Sequence, residues 1–505
     1  MQRKSGQENK ISIVKCLLVC AAAVCYLLAN GQHSVPTLAW IYPVLFLYLL
    51  RTSKTAKSLF LLSAIYIVGF IIQWLDVLGM GAGLCIALAI IFSAIKILPY
   101  MLYYSNIRNK DSFWATALFP AAMVLVEYAI YLIYPILGGL SDVYTQYQNQ
   151  ILMNFSSLFG VYGVIFIMYW TAAVAVWLYS NRSMMRKAKK GIAVYLSVAG
   201  LVFIYGACMA VFPVNANETV RIASITVPVK ETLEEDDDVS KVFYSNTFSD
   251  ENLLNTREKL SLIHNELFVK TKEEAVNGAK IVFWSELNGA VMREDEDALI
   301  KRAAQAANEN HIYLVISLLT KTPYEDYKEN KTIAFNPSGE IVAEYFKTVR
   351  SIGELCIKGT GEMESFSSEY GELTSFICSD MASSAMISQA GRKGVDIILV
   401  PASDWKAMSP IAIKTAIVRG IENGCSIVRQ TNMGISVAAD YTGKVLATSN
   451  YFTSERKTMV VEIPTQGRAT IYPYIGNIFP WGCAVFLIVS FMVYIVKRRK
   501  VETAV

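Results

Sequence analysis

Gly371-Glu-Leu-Thr-Ser-Phe-Ile-Cys378-Ser379-Asp380-Met-Ala-Ser-Ser384 runs from a short apolar strand, Ser375 to Ile377, into a cysteine followed by small polar residues. A strand fixes the backbone ahead of Cys378. The turn after it frees backbone N–H groups that can bind an oxyanion. A nucleophile suits this position. A lone cysteine is more often a small buried hydrophobe, so the reading depends on what the rest of the chain offers.

Two other stretches offer partners. Ile281-Val-Phe-Trp-Ser-Glu286 is an apolar run ending in a carboxylate. Glu340-Ile-Val-Ala-Glu-Tyr-Phe-Lys347 is rich in β-branched and aromatic residues, as a strand is, and ends in a lysine. Taken singly, a Glu after a strand is an ordinary solvated end, and a Lys there an edge guard. Together, an acid, a lysine and a cysteine at successive strand ends resemble the Glu-Lys-Cys triad of the nitrilase (carbon–nitrogen hydrolase) superfamily. Arg419-Gly-Ile-Glu422-Asn-Gly424 and Val428-Arg-Gln-Thr-Asn432-Met-Gly434 resemble that superfamily's late helix and strand. With long apolar segments on both sides, the resemblance narrows to the apolipoprotein N-acyltransferase family, and it covers nearly the whole chain.

Composition agrees with a membrane protein. The chain is 54% hydrophobic and 17% charged, against about 25% charged in ordinary soluble proteins. Of the 9 cysteines, Cys16, Cys20, Cys25, Cys85, Cys208 and Cys483 sit in apolar runs and read as packing. No Cys-x-x-Cys occurs, so a zinc site or redox pair is disfavoured. The 3 histidines, His33, His264 and His311, lie far in sequence from the suspected site, which disfavours a histidine-dependent triad. No metal or other cofactor is expected.

Apolar segments run over residues 11–29, 38–50, 59–77, 82–104, 113–136, 158–179, 192–212 and 475–496. Most reach the roughly 20 residues of a spanning helix, so about eight spans are expected, about seven of them before the polar region. Arg51, Lys54 and Lys57 follow the second segment, Arg108 and Lys110 the fourth, Arg182 to Lys190 the sixth, and Lys497 to Lys500 the last. The alternate loops, 30–37, 76–81 and 138–150, contain no Lys or Arg. The positive-inside rule puts both termini in the cytoplasm and the polar region outside. The expected domains are a membrane domain over 1–214, a catalytic domain over 215–470, and a last helix with a basic tail over 471–505. These basic clusters are short loops explained by topology, which disfavours nucleic acid as a partner.

Glu127 lies inside an apolar run, and an intramembrane acid faces protein or water. The family usually has an arginine shortly after this Glu, and residues 129–135 have none. Gly160 and Gly163 begin the sixth segment and read as helix-packing residues. In the polar region, Glu234-Glu-Asp-Asp-Asp238 reads as a solvated loop. Strand-like runs alternate with helical ones, giving a layered α/β fold. The resemblance implies a four-layer αββα sandwich for it.

The resemblance also implies roles. Glu286 is the general base, Lys347 stabilises the oxyanion, and Cys378 is the nucleophile, with the Ser379 N–H as a second oxyanion donor. Glu354, in Arg350-Ser-Ile-Gly-Glu354, resembles a further functional Glu; the alternative is a surface carboxylate. Family members usually read Cys-Tyr-Glu where this chain has Cys378-Ser379-Asp380, so an aromatic wall is lost and the acid is kept in type. Trp405 matches an aromatic near the site, or is an ordinary loop anchor. The implied substrates are a membrane phospholipid as acyl donor and the α-amine of a diacylglyceryl cysteine on an apolipoprotein as acceptor. The enzyme is expected in the inner membrane as a monomer. Two alternatives remain: a membrane-bound amidase or nitrilase-type hydrolase on the same triad, and a scaffold that keeps the triad as structure.

Overall fold

The computed structural model describes residues 2–108, 111–212 and 218–502. Lys110, the expected domain start at Asn215 and the C-terminal Val505 lie outside the described residues. The chain forms two compact units, Met1–Ala207 with Ile475–Val505, and Cys208–Tyr474.

Among the described residues, 6 helices are long and apolar enough to cross a membrane: Lys57–Leu78, Ala82–Ile107, Phe113–Ile133, Ser156–Ser180, Lys189–Val211 and Ile478–Val496. Two further apolar helices, Ile13–Ala29 and Leu38–Thr52, are shorter. The expected spans thus divide into long and short ones. The first of these is the later part of the helix Gln2–Ala29. The second is bracketed by Pro36 and Arg51. Gly160 does more than pack. At φ 63 and ψ −172 it interrupts the helix Ser156–Ser180, a conformation that favours glycine. Gly163 is a packing position, where an added Cβ would meet the Phe155 ring at 2.9 Å.

A few polar side chains join the apolar interior of this unit, and many apolar ones face outward. Ile72, Leu201 and Phe491 are exposed, while Gln73, Lys96 and Glu127 are buried. Glu127 finds its countercharge in Lys96, 31 residues earlier on another helix, not in a following arginine. Asp142 accepts from the Tyr42 hydroxyl and from Asn30 Nδ2 at 2.9 Å, and Tyr169 joins Tyr42 at 2.8 Å.

The second unit is built on strands whose two faces are both buried, which explains their unbroken apolar runs. Ile281-Val-Phe-Trp shows this. Ile281 and Phe283 enter one core, Val282 and Trp284 the opposite one, as the two-residue period of a strand requires. The first sheet has 7 strands. They are β1 (Thr219–Ile225), β2 (Ile281–Trp284), β3 (Gly289–Met292), β4 (Tyr313–Lys321), β5 (Glu329–Phe335), β6 (Ile341–Phe346) and, last in the chain, β13 (Met459–Pro464). Their order is β13-β1-β2-β4-β5-β6, with β3 beside β4. The second sheet has 6 strands in the order β12-β11-β10-β9-β8-β7. They are β7 (Ser365–Ser368), β8 (Gly371–Ser375), β9 (Ile397–Ser403), β10 (Ser426–Asn432), β11 (Ile435–Ala439) and β12 (Val445–Asn450).

Ile222, Phe283 and Val315 of the first sheet share a core with Leu373, Leu399 and Val428 of the second. Behind the first sheet pack helices Asp250–Val276 and Glu296–Asn310, through Leu260, Leu267 and Ala303. Behind the second pack helices Ser384–Lys393 and Ser409–Asn423, through Ile387, Ala390 and Ala416. These four layers, helix–sheet–sheet–helix, are the αββα arrangement that the resemblance implied.

Some details differ from expectation. β8 ends at Ser375, so Phe376 and Ile377 already belong to the approach to Cys378. The acidic patch is not a solvated loop but a helix junction. Asp236 caps the helix Asp237–Phe243 through Asp238 N and Val239 N, and pairs with Lys259. Strand β3 is short, and β7 and β12 are half-exposed and carry little apolar pattern.

The Lys96–Glu127 pair generates a prediction. Removing one partner leaves a buried charge alone, which costs on the order of 3–5 kcal/mol. Lys96→Met should therefore lower the melting temperature of the detergent-solubilised protein strongly. Adding Glu127→Leu should restore most of the loss. A double variant as unstable as the single one would contradict this reading of the pair.

Candidate active site

The strand directions place the key residues together. β2 runs parallel to β1 and β4, and β4, β5 and β6 are successively antiparallel. The carboxyl ends of β2 and β6 therefore share one edge, which carries Glu286 and Lys347. In the other sheet β8 and β9 run parallel, as do β9 and β10. Cys378 follows β8, and Asp404 follows β9. The two sheets are joined at this end by Asn432, which donates to the Glu286 carbonyl at 2.8 Å. Ligand sites commonly form beyond the carboxyl ends of parallel strands.

Glu286 and Lys347 are each 2% exposed. The Lys347 ammonium donates to Glu286 Oε1 at 2.8 Å, and to Glu354 Oε1 at 2.7 Å and Oε2 at 2.8 Å. Asn330 Nδ2 bridges the same two carboxylates, at 2.8 Å from Glu286 and 3.2 Å from Glu354. Burial opposes the charge on Lys347, but Glu286 and then Glu354 outweigh it and hold the ammonium well above the usual lysine range. Burial likewise works against the Glu354 carboxylate, and Lys347 reverses this, holding it below its ordinary value. Glu354 is thus a partner of the lysine rather than a surface carboxylate.

Cys378 is half-buried and has φ 45. A side chain at positive φ is a strained position of the kind that clusters at functional sites. Burial pushes the thiol up to about 12, the Glu286 carboxylate adds to the rise, and Lys347 pulls the other way. The resting group is therefore a thiol, and a base must take its proton as it reacts. Its Sγ lies 4.0 Å from the Ser403 carbonyl oxygen and 4.0 Å from Arg429 Nη2. Arg429 is buried and holds Asp404 by two bonds of 2.8 Å.

Asp380 ties the lysine end to the cysteine turn. Its Oδ1 accepts from Thr348 N at 3.1 Å and Val349 N at 2.7 Å, and its Oδ2 from Tyr345 at 2.8 Å and Ile377 N at 3.1 Å. The Ser379 hydroxyl donates to the Val349 carbonyl. Trp405 is half-buried beside Asp404, and its carbonyl starts the turn into helix Ser409–Asn423. Glu286, Lys347, Glu354, Cys378, Ser379 and Asp380 are thereby linked by hydrogen bonds or direct electrostatics. Sequence reasoning missed Asn330, Asp404, Arg429 and Asn432 as site residues. A charged Arg429 inside the buried strand β10 was the available signal, since a buried guanidinium needs a partner.

Two family models match the chain. The carbon-nitrogen hydrolase model matches residues 253–472, and the apolipoprotein N-acyltransferase N-terminal domain model matches residues 22–174. The apolipoprotein N-acyltransferase of Haemophilus influenzae is 23% identical over 491 residues, covering 92% of this chain and 91% of that protein. Together these matches support the apolipoprotein N-acyltransferase family for this chain. Apolipoprotein N-acyltransferase 1 of Treponema denticola is 27% identical over 117 residues, 22% of each chain. Among solved structures, an amidase from Nesterenkonia sp. is 19% identical, covering 49% of this chain and 91% of that one, with a TM-score of 0.37. The matches and the apolar helices support a membrane-associated acyltransferase with a nitrilase-type domain. Among the described residues no cluster of side chains suits a metal ion.

Asp380 gives a second prediction. Asp380→Asn turns an amide NH₂ toward one of two donor pairs and leaves buried N–H groups unpaired. Unpaired buried groups cost about 1–3 kcal/mol each. The variant should melt at a clearly lower temperature than wild type in the same detergent. An unchanged melting temperature would show that these four bonds do not hold the turn.

Proposed function

We propose that the chain transfers a fatty acyl group from a membrane phospholipid to the α-amine of an N-terminal S-diacylglyceryl cysteine on an apolipoprotein. Cys378 carries the acyl group between the two substrates as a thioester. The observation that supports this most is Lys347 held between Glu286 and Glu354 beside the strained Cys378 turn, in a chain whose family matches span both its helical and its α/β unit.

In the first half-reaction Glu286 takes the thiol proton, and Sγ forms a bond to the ester carbonyl carbon. The carbonyl electron pair moves to oxygen, where the Lys347 charge and the Ser379 N–H stabilise it. As the ester C–O bond breaks, the lysophospholipid oxygen leaves with the proton from Glu286. In the second half the amine nitrogen attacks the thioester and gives its proton to Glu286. The C–S bond breaks, and Sγ recovers the proton. Glu354 and Asn330 hold Lys347 and Glu286 in place throughout, and Asp380 holds the turn.

The same proposal places residues 215–470 outside the inner membrane, between the helical region 1–214 and the last helix and tail 471–505, with both termini in the cytoplasm. The alternation of Lys and Arg between loops supports it. The lipid bilayer then presents both substrates on the side of the α/β unit.

The test uses purified full-length protein, phospholipid and a diacylglyceryl peptide. The peptide should gain one fatty acyl chain at its free α-amine, and none when that amine is blocked. Cys378→Ser should reduce transfer at least a hundredfold, because a hydroxyl is a far weaker nucleophile here. Cys356→Ser and Cys425→Ser, both buried, should keep substantial activity. Release of free fatty acid without acylation of the peptide would favour the hydrolase instead.

A further inference from the structure

The charges around Cys378 are unevenly committed. Lys347 gives its donors to Glu286 and Glu354, at 2.7–2.8 Å, and none of these bonds reaches the sulfur. The cationic group with a hydrogen-bond contact to Sγ is Arg429, whose Nη2 lies 4.0 Å away. We propose that Arg429, aimed by Asp404, is a catalytic residue that stabilises negative charge on Cys378 Sγ in both half-reactions. The proposal rests on Cys378 being the nucleophile.

The geometry supplies the reasons. Arg429 lies on β10, the strand that pairs with β9, and is 1% exposed. Its charge is permanent, and in a buried setting it acts through a lower dielectric than water. The two 2.8 Å bonds to Asp404 fix the plane of the guanidinium, as bidentate pairs do. Asp404 is held in turn from its backbone, where its N–H donates to Thr431 Oγ1 at 3.1 Å and its carbonyl accepts from Lys230 at 2.8 Å. The pair therefore presents an N–H edge, not a freely mobile charge, to the sulfur.

Two moments of the reaction need that edge. The resting S–H faces the Ser403 carbonyl oxygen at 4.0 Å. When Glu286 takes the proton, that contact turns repulsive, and Arg429 is the donor that remains. When the amine displaces the acyl group, the C–S electron pair returns to Sγ, and the departing thiolate meets the same N–H. Asp404 has a double effect. It orients the guanidinium, but its own negative charge opposes the thiolate. The two residues should therefore act on the thiol in opposite directions.

The test reads the thiol itself, independently of any acyl substrate. Full-length protein in detergent is alkylated with iodoacetamide from pH 6 to pH 11, and the rate at the Cys378 peptide is followed by mass spectrometry. Arg429→Met should raise the apparent thiol pKa by about one unit, slowing alkylation at pH 8 about tenfold. Asp404→Asn should shift it the other way. Arg429→Lys keeps a charge for Asp404 but withdraws it from the sulfur, and should fall between wild type and Arg429→Met. If Arg429→Met does not fold, Arg429→Lys decides alone: slower alkylation supports the assignment, an unchanged profile overturns it. Shifts of the same sign in the Arg429 and Asp404 variants would also overturn it, because a merely structural pair would disturb the turn alike from either side. Failure of the acyl-transfer reading would show separately, as a Cys378→Ser variant that still acylates the peptide.

Discussion

A lysine ammonium buried between two carboxylates is the constraint around which the α/β unit is arranged. Lys347 is 2% exposed, and an isolated ammonium in such a place would be penalised by several kcal/mol. Glu286, at the end of β2, and Glu354, on the loop after β6, remove that penalty only if both stay within hydrogen-bond distance. Asn330 in β5 reaches both carboxylates and also accepts the Lys347 backbone N–H at 2.9 Å. The three strands must then keep their register to within one residue. A slip of one would turn Glu286 or Lys347 onto the opposite face.

The second sheet answers the same constraint from across the inter-sheet core. Asn432 in β10 holds the Glu286 carbonyl, and Asp380 accepts four donors from the two sides of the junction. Cys378 is held at positive φ in the short turn between them. The result is a net negative cluster of Glu286, Lys347 and Glu354 facing a thiol that burial keeps protonated. Such a site suits a reaction in which the proton leaves the sulfur only as the bond to carbon forms. The helical unit obeys the same rule in a harsher solvent, since Lys96 and Glu127 are buried as a pair.

Much of this was legible in the chain. Ile281-Val-Phe-Trp and the runs at β4 and β9 are apolar on both faces, so strands covered on both sides could be inferred from residues alone. The layer count could not, because it depends on which face of each strand meets which partner; the resemblance supplied it. Glu286, Lys347 and Cys378 stood at strand ends and could be named. Arg429 stood in its stretch without a role and Asp404 was not singled out, since their pairing is across 25 residues and exists only once β9 and β10 lie side by side. Lys96 was missed for the same reason. A partner for Glu127 was sought along its own helix, whereas the charge comes from the helix before it. The acidic patch at residues 234–238 was misread because capping by Asp236 depends on local backbone geometry that charge counting does not reveal.

The central claim is that Cys378 holds the acyl group covalently between two substrates, and the most direct measurement is the mass of the protein itself. Full-length enzyme is incubated with phospholipid alone, quenched in acid, digested and mapped. The peptide containing Cys378 should carry one fatty-acyl mass, removable by hydroxylamine, with an equal amount of lysophospholipid released. Glu286→Gln should leave that peptide unmodified, because no carboxylate then takes the thiol proton. An acyl group found on another residue, or transfer to the peptide acceptor with no acyl-enzyme formed at any time point, would contradict it.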